Sequence, residues 1–395
     1  MQTLHTLVQD AKSQIVALAQ EALRQRSLSG HEKGIADLFL HELDRYGVET
    51  WRDAAGNVFG RLPGDGGLTT MLHAHMDVVD PGDESRWRHP PFGGVVDEGY
   101  LWGRGSSDTK GSLVAQVSAV GLLRRAGLRP PGDVFVAGAV GEETGGYGTR
   151  HMVKTFPEPL GVVIIGEPSG NTLRRGHRGR YEFVVTFRGR SAHASNPNLG
   201  RNPHYAMARF LLALREAPMV EDDVLPASSV VPTLSYVDTT SSNVIPADIA
   251  VHLDWRAAPA DTIDRARSKV EGLATEALEE GITFDIEIFD QPTHSYTGLE
   301  VGIRHELAGF CHPLDDPLLL AAHAALEEGL GRPVPIDVWT FCTDGGVLAA
   351  HGVHCLGFGP GDETTAHILD ERLSIDELLE ATVGYMALAL RMGQR

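Results

Sequence analysis

Residues 69–77 read TTMLHAHMD, an apolar run of strand length that ends on polar residues. Two later stretches repeat this arrangement: residues 134–143 read VFVAGAVGEE, and residues 162–167 read VVIIGE. Short apolar runs bounded by glycine or polar residues are typical of buried strands. A helix predicted over residues 110–126 separates the first two runs. Strands that alternate with helices predict an α/β fold with a mixed, largely parallel sheet.

Histidine and carboxylate side chains stand where these strands end. His75 and Asp77 close the first run, Glu142 and Glu143 follow the second, and Glu167 follows the third. Open α/β sheets bind their ligands at the carboxyl ends of their strands, so we expect these side chains to converge. Imidazole nitrogen and carboxylate oxygen are ligands that zinc accepts.

Two further residues complete a candidate site for two metal ions. Asp108 precedes the helix over 110–126, and His367 ends the glycine-rich stretch GPGDETTAH. Metals about 3.5–4 Å apart share a ligand, and a carboxylate can bridge them whereas an imidazole cannot, so Asp108 is the predicted bridge. Each metal then keeps one histidine and one carboxylate, with coordination left open for water. The predicted ligands of two zinc ions, for which cobalt or manganese could substitute, are His75, Asp108, Glu143, Glu167 and His367.

The adjacent pair Glu142 and Glu143 indicates a mechanism. If both bound metal the site would lack a base, whereas Glu142 is free to take a proton from water if Glu143 alone is a ligand. Asp77 would then accept a hydrogen bond that orients His75. Each feature alone has a plainer interpretation: a helix cap for Asp108, and a solvated surface pair for the two glutamates.

Length, charge and cysteine content narrow the class of protein. A chain of 395 residues is expected to form two domains. A formal net charge of −19 opposes nucleic-acid and anionic-membrane partners. No apolar run reaches the roughly 20 residues of a membrane span, and no signal peptide is recognisable. The three cysteines have no C-x-x-C spacing, so we expect a soluble, cytoplasmic protein without a disulfide scaffold.

The pattern of elements changes after about residue 179. Predicted strands cover residues 181–187, 249–255 and 282–289, and predicted helices cover residues 203–215 and 262–278. This order suggests a ferredoxin-like α+β module inserted at residues 180–291. The first domain is therefore predicted to be discontinuous, with residues 1–179 and 292–395.

Two helices have recognisable first residues. Ser29 followed by Glu32 fits a capping box, and this helix is predicted to stop at Gly47. Ser374 is predicted to cap the last helix, after a strand over residues 353–358.

The sequence resembles the dinuclear-zinc hydrolases that include aminoacylase, acetylornithine deacetylase, succinyl-diaminopimelate desuccinylase and glutamate carboxypeptidase. Within this family it looks most similar to the selenium-metabolism-linked type. The resemblance spans residues 75 to 367, in the stretches HMDVVDPG, WRHPPFGG, GRGSSDTKGSL, GEETGG, IIGEPSG, GRSAHAS, SSNVIPA and GPGDETTAH. It implies the roles given above for the metal ligands, Asp77 and Glu142. It also implies a cis peptide after Asp108, and an inserted lid domain through which two chains form a homodimer.

The resemblance implies further active-site residues. His193 would donate to the oxyanion of the tetrahedral intermediate, in some relatives from the partner subunit, and Asn243 would help complete the site. The alternative for His193 is that it only closes a turn. Residues placed to hold a substrate carboxylate are Arg178 and Arg256, together with the loop residues Thr343 and Gly345. For either arginine the alternative is a structural ion pair, which Arg256 could form with the nearby Asp254.

The sequence departs from the family pattern in two places. Ala74 replaces the glycine that usually precedes the first ligand histidine, and His73 adds an imidazole that is expected to pack in the sheet. The loop from Thr343 to Gly346 lacks an arginine found in desuccinylases. That absence argues against succinyl-diaminopimelate as the substrate.

The predicted function is hydrolysis of an amide bond in an N-acyl amino acid or a short peptide-like substrate with a free carboxylate. A metal-bridging water, activated by Glu142, would attack the carbonyl. A dipeptidase or carboxypeptidase of the same family is the nearest alternative. A TIM-barrel amidohydrolase, suggested by His73 and His75 on one strand, and a non-catalytic binding protein on the same fold are the rivals.

Overall fold

The computed structural model of the chain describes residues 3–393. Within that range, no helix has both the length and the apolar character needed to cross a lipid bilayer. The helices of these residues are α1 (Leu4–Arg24), α2 (Lys33–Arg45), α3 (Lys110–Ala126), α4 (Tyr147–Thr155), α5 (Pro203–Glu216), α6 (Ile263–Glu276), α7 (Pro317–Leu330), α8 (Gly345–Ala350) and α9 (Ile375–Arg391).

The strands are β1 (Glu49–Arg52), β2 (Val58–Leu62), β3 (Thr70–His75), β4 (Val95–Asp97), β5 (Tyr100–Trp102), β6 (Val134–Ala139), β7 (Val162–Ile165), β8 (Leu173–His177), β9 (Gly179–Arg188), β10 (Ala192–His193), β11 (Ser229–Val237), β12 (Val244–Ile245), β13 (Asp248–Ala257), β14 (Thr283–Ile288), β15 (Asp290–His294), β16 (Glu300–Arg304), β17 (Glu306–Leu307), β18 (Phe310–Cys311), β19 (Ile336–Trp339), β20 (His354–Gly357) and β21 (Arg372–Ser374).

Nine strands form the main sheet, in the order β1-β2-β6-β3-β7-β20-β8-β18, with β19 also paired to β8. The four central strands β6, β3, β7 and β20 are parallel to one another. Strands β2 and β8 are antiparallel to their central neighbours. The sheet is therefore mixed, as predicted, and it is open. An eight-stranded TIM barrel was a wrong alternative.

The central strands are buried along almost their whole length because helices cover both faces of the sheet. Leu72 packs in a core with residues of α1, α2, α3, α7 and α9. Its neighbour Met71 points to the opposite face, where it packs with Met152 of α4 and Leu348 of α8. Burial on both faces fixes the strands, and it brings the carboxyl ends of β3, β6, β7 and β20 to one edge.

The start of α2 differs from the prediction. The helix begins at Lys33, and its N-cap residue Glu32 makes no side-chain capping hydrogen bond. The Ser29 hydroxyl instead donates to Oδ2 of Asp77 over 2.7 Å. The buried Glu32 carboxylate accepts from the backbone of Gly30. For Ser29, a contact with a residue distant in sequence has replaced the local capping box. The last helix begins after Ser374, whose side chain accepts a hydrogen bond from the Glu377 backbone, as predicted.

A second sheet follows in the chain, with the order β11-β13-β9-β14 and with β17 also beside β9. Helices α5 and α6 pack on one face and share a separate apolar core with this sheet. The chain order β9-α5-β11-β13-α6-β14 is the βαββαβ arrangement of ferredoxin-like modules. Strand β11 was not predicted, because it is an exposed edge strand that contains Pro232 and lacks the alternation of a half-buried strand.

Glu182 ties three strands of the second sheet together. Its carboxylate accepts hydrogen bonds from Nδ1 of His252 on β13 and from Nδ1 of His305 beside β17. The hydrogen bond from His305 and then that from His252 lower the pKa of Glu182 to about 2, although burial opposes them. A carboxylate with a lowered pKa stabilises the folded state above its ordinary pKa, and this contribution disappears as the pH falls toward 2.

Glu182→Gln is therefore expected to lower the free energy of unfolding by about 1–3 kcal/mol at neutral pH. The difference from the wild type should shrink as the pH falls from 5 to 3. Chemical denaturation at a series of pH values measures both quantities. Glu287→Gln, an exposed change on β14, is the matched control. A difference that is independent of pH would contradict the assignment.

Candidate metal centre

The five predicted metal ligands meet at one edge of the main sheet. His75 is the last residue of β3, Glu143 follows β6, and Glu167 follows β7. Asp108 lies just before α3, and His367 lies in the loop after β20, where its φ of 60° is left-handed. The parallel central strands bring these segments together because their carboxyl ends share one edge.

The five side chains form two groups that share Asp108. His75, Asp108 and Glu167 make one group, and Asp108, Glu143 and His367 make the other, with the potential ligand atoms of each group within 4.8 Å of one another. Nε2 of His75 lies 3.0 Å from Oδ1 of Asp108. Nε2 of His367 lies 3.1 Å from Oδ2 of the same carboxylate. The two oxygens of Asp108 therefore face different groups.

The distances to the remaining carboxylates complete each group. Nε2 of His75 lies 3.5 Å from Oε1 of Glu167, and Nε2 of His367 lies 3.0 Å from Oε1 of Glu143. Each group offers one imidazole nitrogen, one carboxylate of its own, and one oxygen of Asp108. That donor set suits a divalent ion such as zinc and leaves room for exogenous oxygen ligands.

The electrostatics of the cluster support a cationic occupant. Burial, reinforced by repulsion between the carboxylates, raises the pKa of Glu167 well above its usual range and that of Glu143 to about 6. The Asp108 and Glu143 carboxylates raise the pKa of His367 to about 10. Among residues 3–393, no lysine or arginine forms an ion pair with any of the five side chains. Divalent cations would supply the missing positive charge, so the residues present fit a dinuclear metal site.

Asp77 holds the segments behind His75. Its backbone oxygen accepts a hydrogen bond from Nδ1 of His75 over 2.9 Å, which leaves Nε2 facing Asp108. Its carboxylate accepts from the backbone nitrogens of Glu142, at 3.1 Å, and Glu143, at 3.2 Å. The predicted contact between Asp77 and His75 is therefore made through the backbone oxygen, while the Asp77 side-chain oxygen lies 3.6 Å from Nδ1. One residue thereby fixes both the imidazole and the start of the loop after β6.

Glu142 lies beside the cluster but in neither group of potential ligands. It lines the same cavity as Asp108, Glu143 and Glu167. Burial raises the pKa of Glu142 well above its ordinary value, and repulsion from Glu167 adds to the effect. The cavity has a volume of about 460 Å³. A larger one of about 720 Å³, between α4, α8 and β16, contains none of the five predicted ligands.

A buried carboxylate near the C-terminus organises the Asp108 loop. Glu371 accepts hydrogen bonds from the backbone nitrogens of Gly105, Ser107 and Asp108 at 2.9–3.0 Å. It also accepts from Nη1 of Arg104 at 2.7 Å. The peptide bond after Asp108 is cis, as the family resemblance implied. Since Glu371 lies four residues after His367, it joins the loops that carry two of the predicted ligands.

Glu371→Ala is expected to lower the free energy of unfolding by about 3–5 kcal/mol, because a buried guanidinium and three backbone donors would lose their acceptor. Chemical denaturation of the metal-free protein measures the loss. Glu328→Ala is the control, since it removes an exposed ion pair with Arg391 that is expected to contribute less than about 1 kcal/mol. Equal stabilities of the two variants would contradict the role of Glu371.

The two residues predicted to complete the site from the inserted module, His193 and Asn243, lie outside the cavity over the cluster. His193 and Asn243 are both exposed and lie together, since β10 pairs with β12 and the Asn243 carbonyl accepts from the Ala194 backbone. Nδ1 of His193 accepts hydrogen bonds from the backbone and hydroxyl of Ser195. Neither residue lines the cavity over the cluster.

Of the four predicted carboxylate-binding residues, Arg256 alone lines the cavity. Arg256 lines the cavity, and its Nε donates to Oδ1 of Asp254 over 2.6 Å, the ion pair considered as its alternative role. Arg178 donates to the backbone of Ala227 and does not line the cavity. Thr343 and Gly345 are buried and hydrogen-bonded to each other, away from the cavity wall. Their neighbours Phe341 and Cys342 line it instead.

His73 packs in the sheet, as expected. Nε2 of His73 lies 2.9 Å from the Thr149 hydroxyl and 3.6 Å from Oδ2 of Asp344. Complete burial lowers the pKa of His73 to about 3. The side chain is therefore a neutral imidazole in a buried polar network, and it belongs to neither group of potential ligands.

A third group of potential ligands contains His312, Asp316 and His354. The two imidazole rings are stacked, with centroids 3.8 Å apart and planes inclined by 16°. Nε2 of His312 is occupied by the backbone oxygen of Cys355. Because an imidazole lone pair lies in the plane of its ring, two stacked rings are poorly placed to bind a common ion. We interpret this group as a packed pair of neutral imidazoles.

Sequence reasoning missed three residues around the cluster. Arg180 and His305 line the cavity, and Glu371 holds the Asp108 loop. The only signal for Arg180 was its position two residues after Arg178 at the start of a strand. Nothing local marked His305 or Glu371, because their roles come from contacts between distant parts of the chain.

Comparisons with known proteins show the family to which the chain is similar. The family described as peptidase family M20/M25/M40 matches residues 71–391. A succinyl-diaminopimelate desuccinylase from Alkalilimnicola ehrlichii is 30% identical over 93% of this chain and 96% of that protein.

Two solved structures share the fold at low identity. One is the metallo-carboxypeptidase Sso-CP2 from Sulfolobus solfataricus, of the M20 family. It has a TM-score of 0.75 and 16% identity, over 95% of this chain and 99% of that one. The other is the YXEP protein of Bacillus subtilis, described as a dinuclear metal-binding peptidase from the M20 family. It has a TM-score of 0.71 and 15% identity, over 98% of this chain and 100% of that one.

Proposed function

Because the chain belongs to peptidase family M20/M25/M40, and is accordingly a metal-dependent hydrolase of amide bonds, we propose a specific reaction for it. The enzyme hydrolyses the amide bond of an N-acyl amino acid or a short peptide-like substrate that carries a free carboxylate. This proposal rests on the two groups of potential metal ligands that share Asp108. Glu142 lines the same cavity and belongs to neither group.

The proposed metal ligands follow the two groups. His75, Asp108 and Glu167 would hold one ion, and Asp108, Glu143 and His367 would hold the other. We propose zinc, with cobalt or manganese as substitutes. When bound, such ions polarise a carbonyl oxygen and make water a nucleophile at neutral pH.

Glu142 is the proposed general base and acid. Its carboxylate takes a proton from the attacking water as the oxygen of that water bonds to the carbonyl carbon. It then delivers this proton to the amide nitrogen as the carbon–nitrogen bond breaks, so that a carboxylic acid and an amine leave. Asp77 fixes the backbone of Glu142, which restrains the carboxylate for both transfers.

The second sheet is proposed to act as the lid, with residues 180–291 as the lid domain. His193 and Asn243 would complete the oxyanion site when the lid closes or when a partner subunit supplies them. Edge strand β11 supports an interface on this module, because Val231, Leu234 and Tyr236 are each more than half exposed. An unpaired apolar edge is a ready site for pairing with a second copy.

Light scattering is therefore expected to give the mass of two chains. Placing a charge at the exposed edge, as in Leu234→Lys, should produce monomers and lower activity. Ser268→Lys, an exposed change on α6, is the control for an added positive charge. A fully active Leu234→Lys monomer would contradict the proposed lid interface.

Screening the zinc-loaded protein against N-acyl amino acids and dipeptides tests the function. The panel includes N-acetyl, N-succinyl and N-benzoyl amino acids, the corresponding carboxamides, and free dipeptides. Release of an amine from an N-acyl amino acid is the expected result. Cleavage of dipeptides alone would support the dipeptidase alternative. Failure to cleave any amide with two metal ions bound would overturn the proposal.

A further inference from the structure

The loop that carries Glu142 and Glu143 is fixed at both of its ends. At its start, Asp77 accepts hydrogen bonds from the backbone nitrogens of Glu142 and Glu143. At its far end, Nε of Arg150 on α4 donates to the backbone oxygen of Gly145 over 3.1 Å. The turn between these points is tight, because the Gly145 nitrogen donates to the Glu142 oxygen over 3.0 Å. The position of Gly145 therefore affects that of Glu142.

Arg150 also binds the segment between β16 and β17. Its Nη2 donates to the backbone oxygens of Arg304, over 3.2 Å, and Glu306, over 2.5 Å. Glu306 belongs to β17, which pairs with β9 in the second sheet. One guanidinium thus connects the loop after β6 with a strand of the second sheet.

Gly145 and Arg304 lie in direct contact. A Cβ atom on Gly145 would lie 2.6 Å from the Arg304 oxygen and 3.0 Å from its nitrogen, and the φ of Gly145 is +92°. Both conditions favour glycine at this position. Because the same Arg304 oxygen accepts from Arg150, a displacement of this segment acts on Gly145 both directly and through the guanidinium.

The guanidinium of Arg150 serves the backbone. Among residues 3–393, no carboxylate forms an ion pair with it, and burial lowers its pKa. A guanidinium has five donors in a rigid, planar arrangement, so it can hold several carbonyl oxygens at a fixed spacing. Arg150 also lines the cavity of about 720 Å³ between α4, α8 and β16, so small solutes can approach it.

We propose that Arg150 is a positioning residue for the reaction, because it aligns the Glu142 loop with the segment of residues 304–306. This inference rests on the proposed function, in which Glu142 transfers the proton. Arg150 does not line the cavity over the cluster, whereas His305 of the same segment does. Arg150 acts through the backbone of Gly145. Glu142 is then placed for proton transfer only when the strand that joins the second sheet is in its own position.

Kinetics of Arg150→Ala, with and without added methylguanidinium, test this role. The change removes the guanidinium and leaves space for the free cation, which can enter through the cavity beside α4. Arg150→Lys keeps the charge with fewer donors. Lys154→Ala is the matched control, since Lys154 is an exposed cation one turn later on α4. Each zinc-loaded protein is assayed for zinc content and for cleavage of the panel compound that the wild type cleaves fastest.

We expect Arg150→Ala to lower kcat about 10- to 100-fold, because a displacement of about 1 Å at a reacting group can cost about 10²-fold. KM should change by less than about threefold, and two zinc ions should stay bound, since the interaction that is lost serves the transition state. Methylguanidinium should restore part of kcat in Arg150→Ala and leave the wild type unchanged. Arg150→Lys should have an intermediate kcat, and Lys154→Ala should match the wild type.

A wild-type kcat in Arg150→Ala would overturn the proposal. So would a loss of activity that follows loss of zinc, or one that methylguanidinium does not restore in the folded protein. If Arg150→Ala does not fold, Arg150→Lys decides the question. A lowered kcat with zinc and KM retained supports the role, and a wild-type kcat overturns it.

Hydrogen exchange tests the contact without turnover. In the folded Arg150 variants, the amides of residues 141–146 and 304–307 should exchange faster than in the wild type, because both segments lose a common partner. In Lys154→Ala both segments should match the wild type. Unchanged exchange in the Arg150 variants would overturn the proposal. Absence of amide hydrolysis by the wild type would instead overturn the proposed function, and faster exchange would still establish that Arg150 holds both segments.

Discussion

Replacing Glu142 by glutamine is expected to lower kcat by about 10²- to 10⁴-fold, the range that a positioned general base contributes. The amide keeps the size of the side chain but cannot accept the proton of the attacking water. Because Glu142 belongs to neither group of potential ligands, two metal ions should stay bound per chain. KM should change little, since ground-state binding does not depend on the proton transfer.

Steady-state kinetics and elemental analysis of the same preparation measure this prediction. Glu280→Gln, an exposed change of the same kind, is the control and should keep full activity. Turnover near that of the wild type in purified Glu142→Gln would show that another group carries the proton. Loss of metal together with activity would show that Glu142 is a ligand.

Asp108→Asn should have the second large effect, because both groups of potential ligands use this one carboxylate. Its two oxygens face His75 and His367 at 3.0 and 3.1 Å, and the neutral amide would remove the charge that they share. We expect fewer than two metal ions per chain. Activity should fall by about 10³-fold or more, since polarisation by a metal is worth several kcal/mol and each 1.36 kcal/mol is tenfold in rate.

Metal titration and activity under identical loading conditions measure this effect. Asp44→Asn, an exposed change in α2, is the control for loss of one negative charge. Circular dichroism of the metal-free proteins shows whether Asp108→Asn folds. A folded Asp108→Asn enzyme with two tightly bound ions and ordinary turnover would contradict the bridging role.

The sequence was most informative where structure is decided locally. The apolar runs before His75, Glu143 and Glu167 predicted strands, and parallel strands place their carboxyl ends together, so the convergence of these side chains could be anticipated. The structure has them at the ends of β3, β6 and β7, within two groups of potential ligands. Their role as metal ligands remains a prediction for experiment.

Contacts between distant segments could not be read from local patterns. The capping pattern of Ser29 and Glu32 gave way to a hydrogen bond between Ser29 and Asp77, which lie 48 residues apart in the chain. Glu371 reaches Asp108 across 263 residues. Such partners depend on the packing of the whole domain, and single-sequence periodicity contains no information about it.

The residues that line the cavity were also only partly predictable from the sequence. The motif pointed to Arg178, whereas the cavity is lined by Arg180, whose position depends on its register opposite Arg256. His193 and Asn243 do not line the cavity of the single chain. Their proposed roles require lid closure or a second subunit.

Crystals of the zinc-loaded protein, measured at the zinc absorption edge, test the central claim most directly. We predict two anomalous peaks per chain, about 3.5–4 Å apart. The Asp108 carboxylate should lie between them, with His75 and Glu167 on one ion and Glu143 and His367 on the other. The Glu142 carboxylate should bind neither. A single peak, peaks away from these side chains, or Glu142 as a direct ligand would contradict the account.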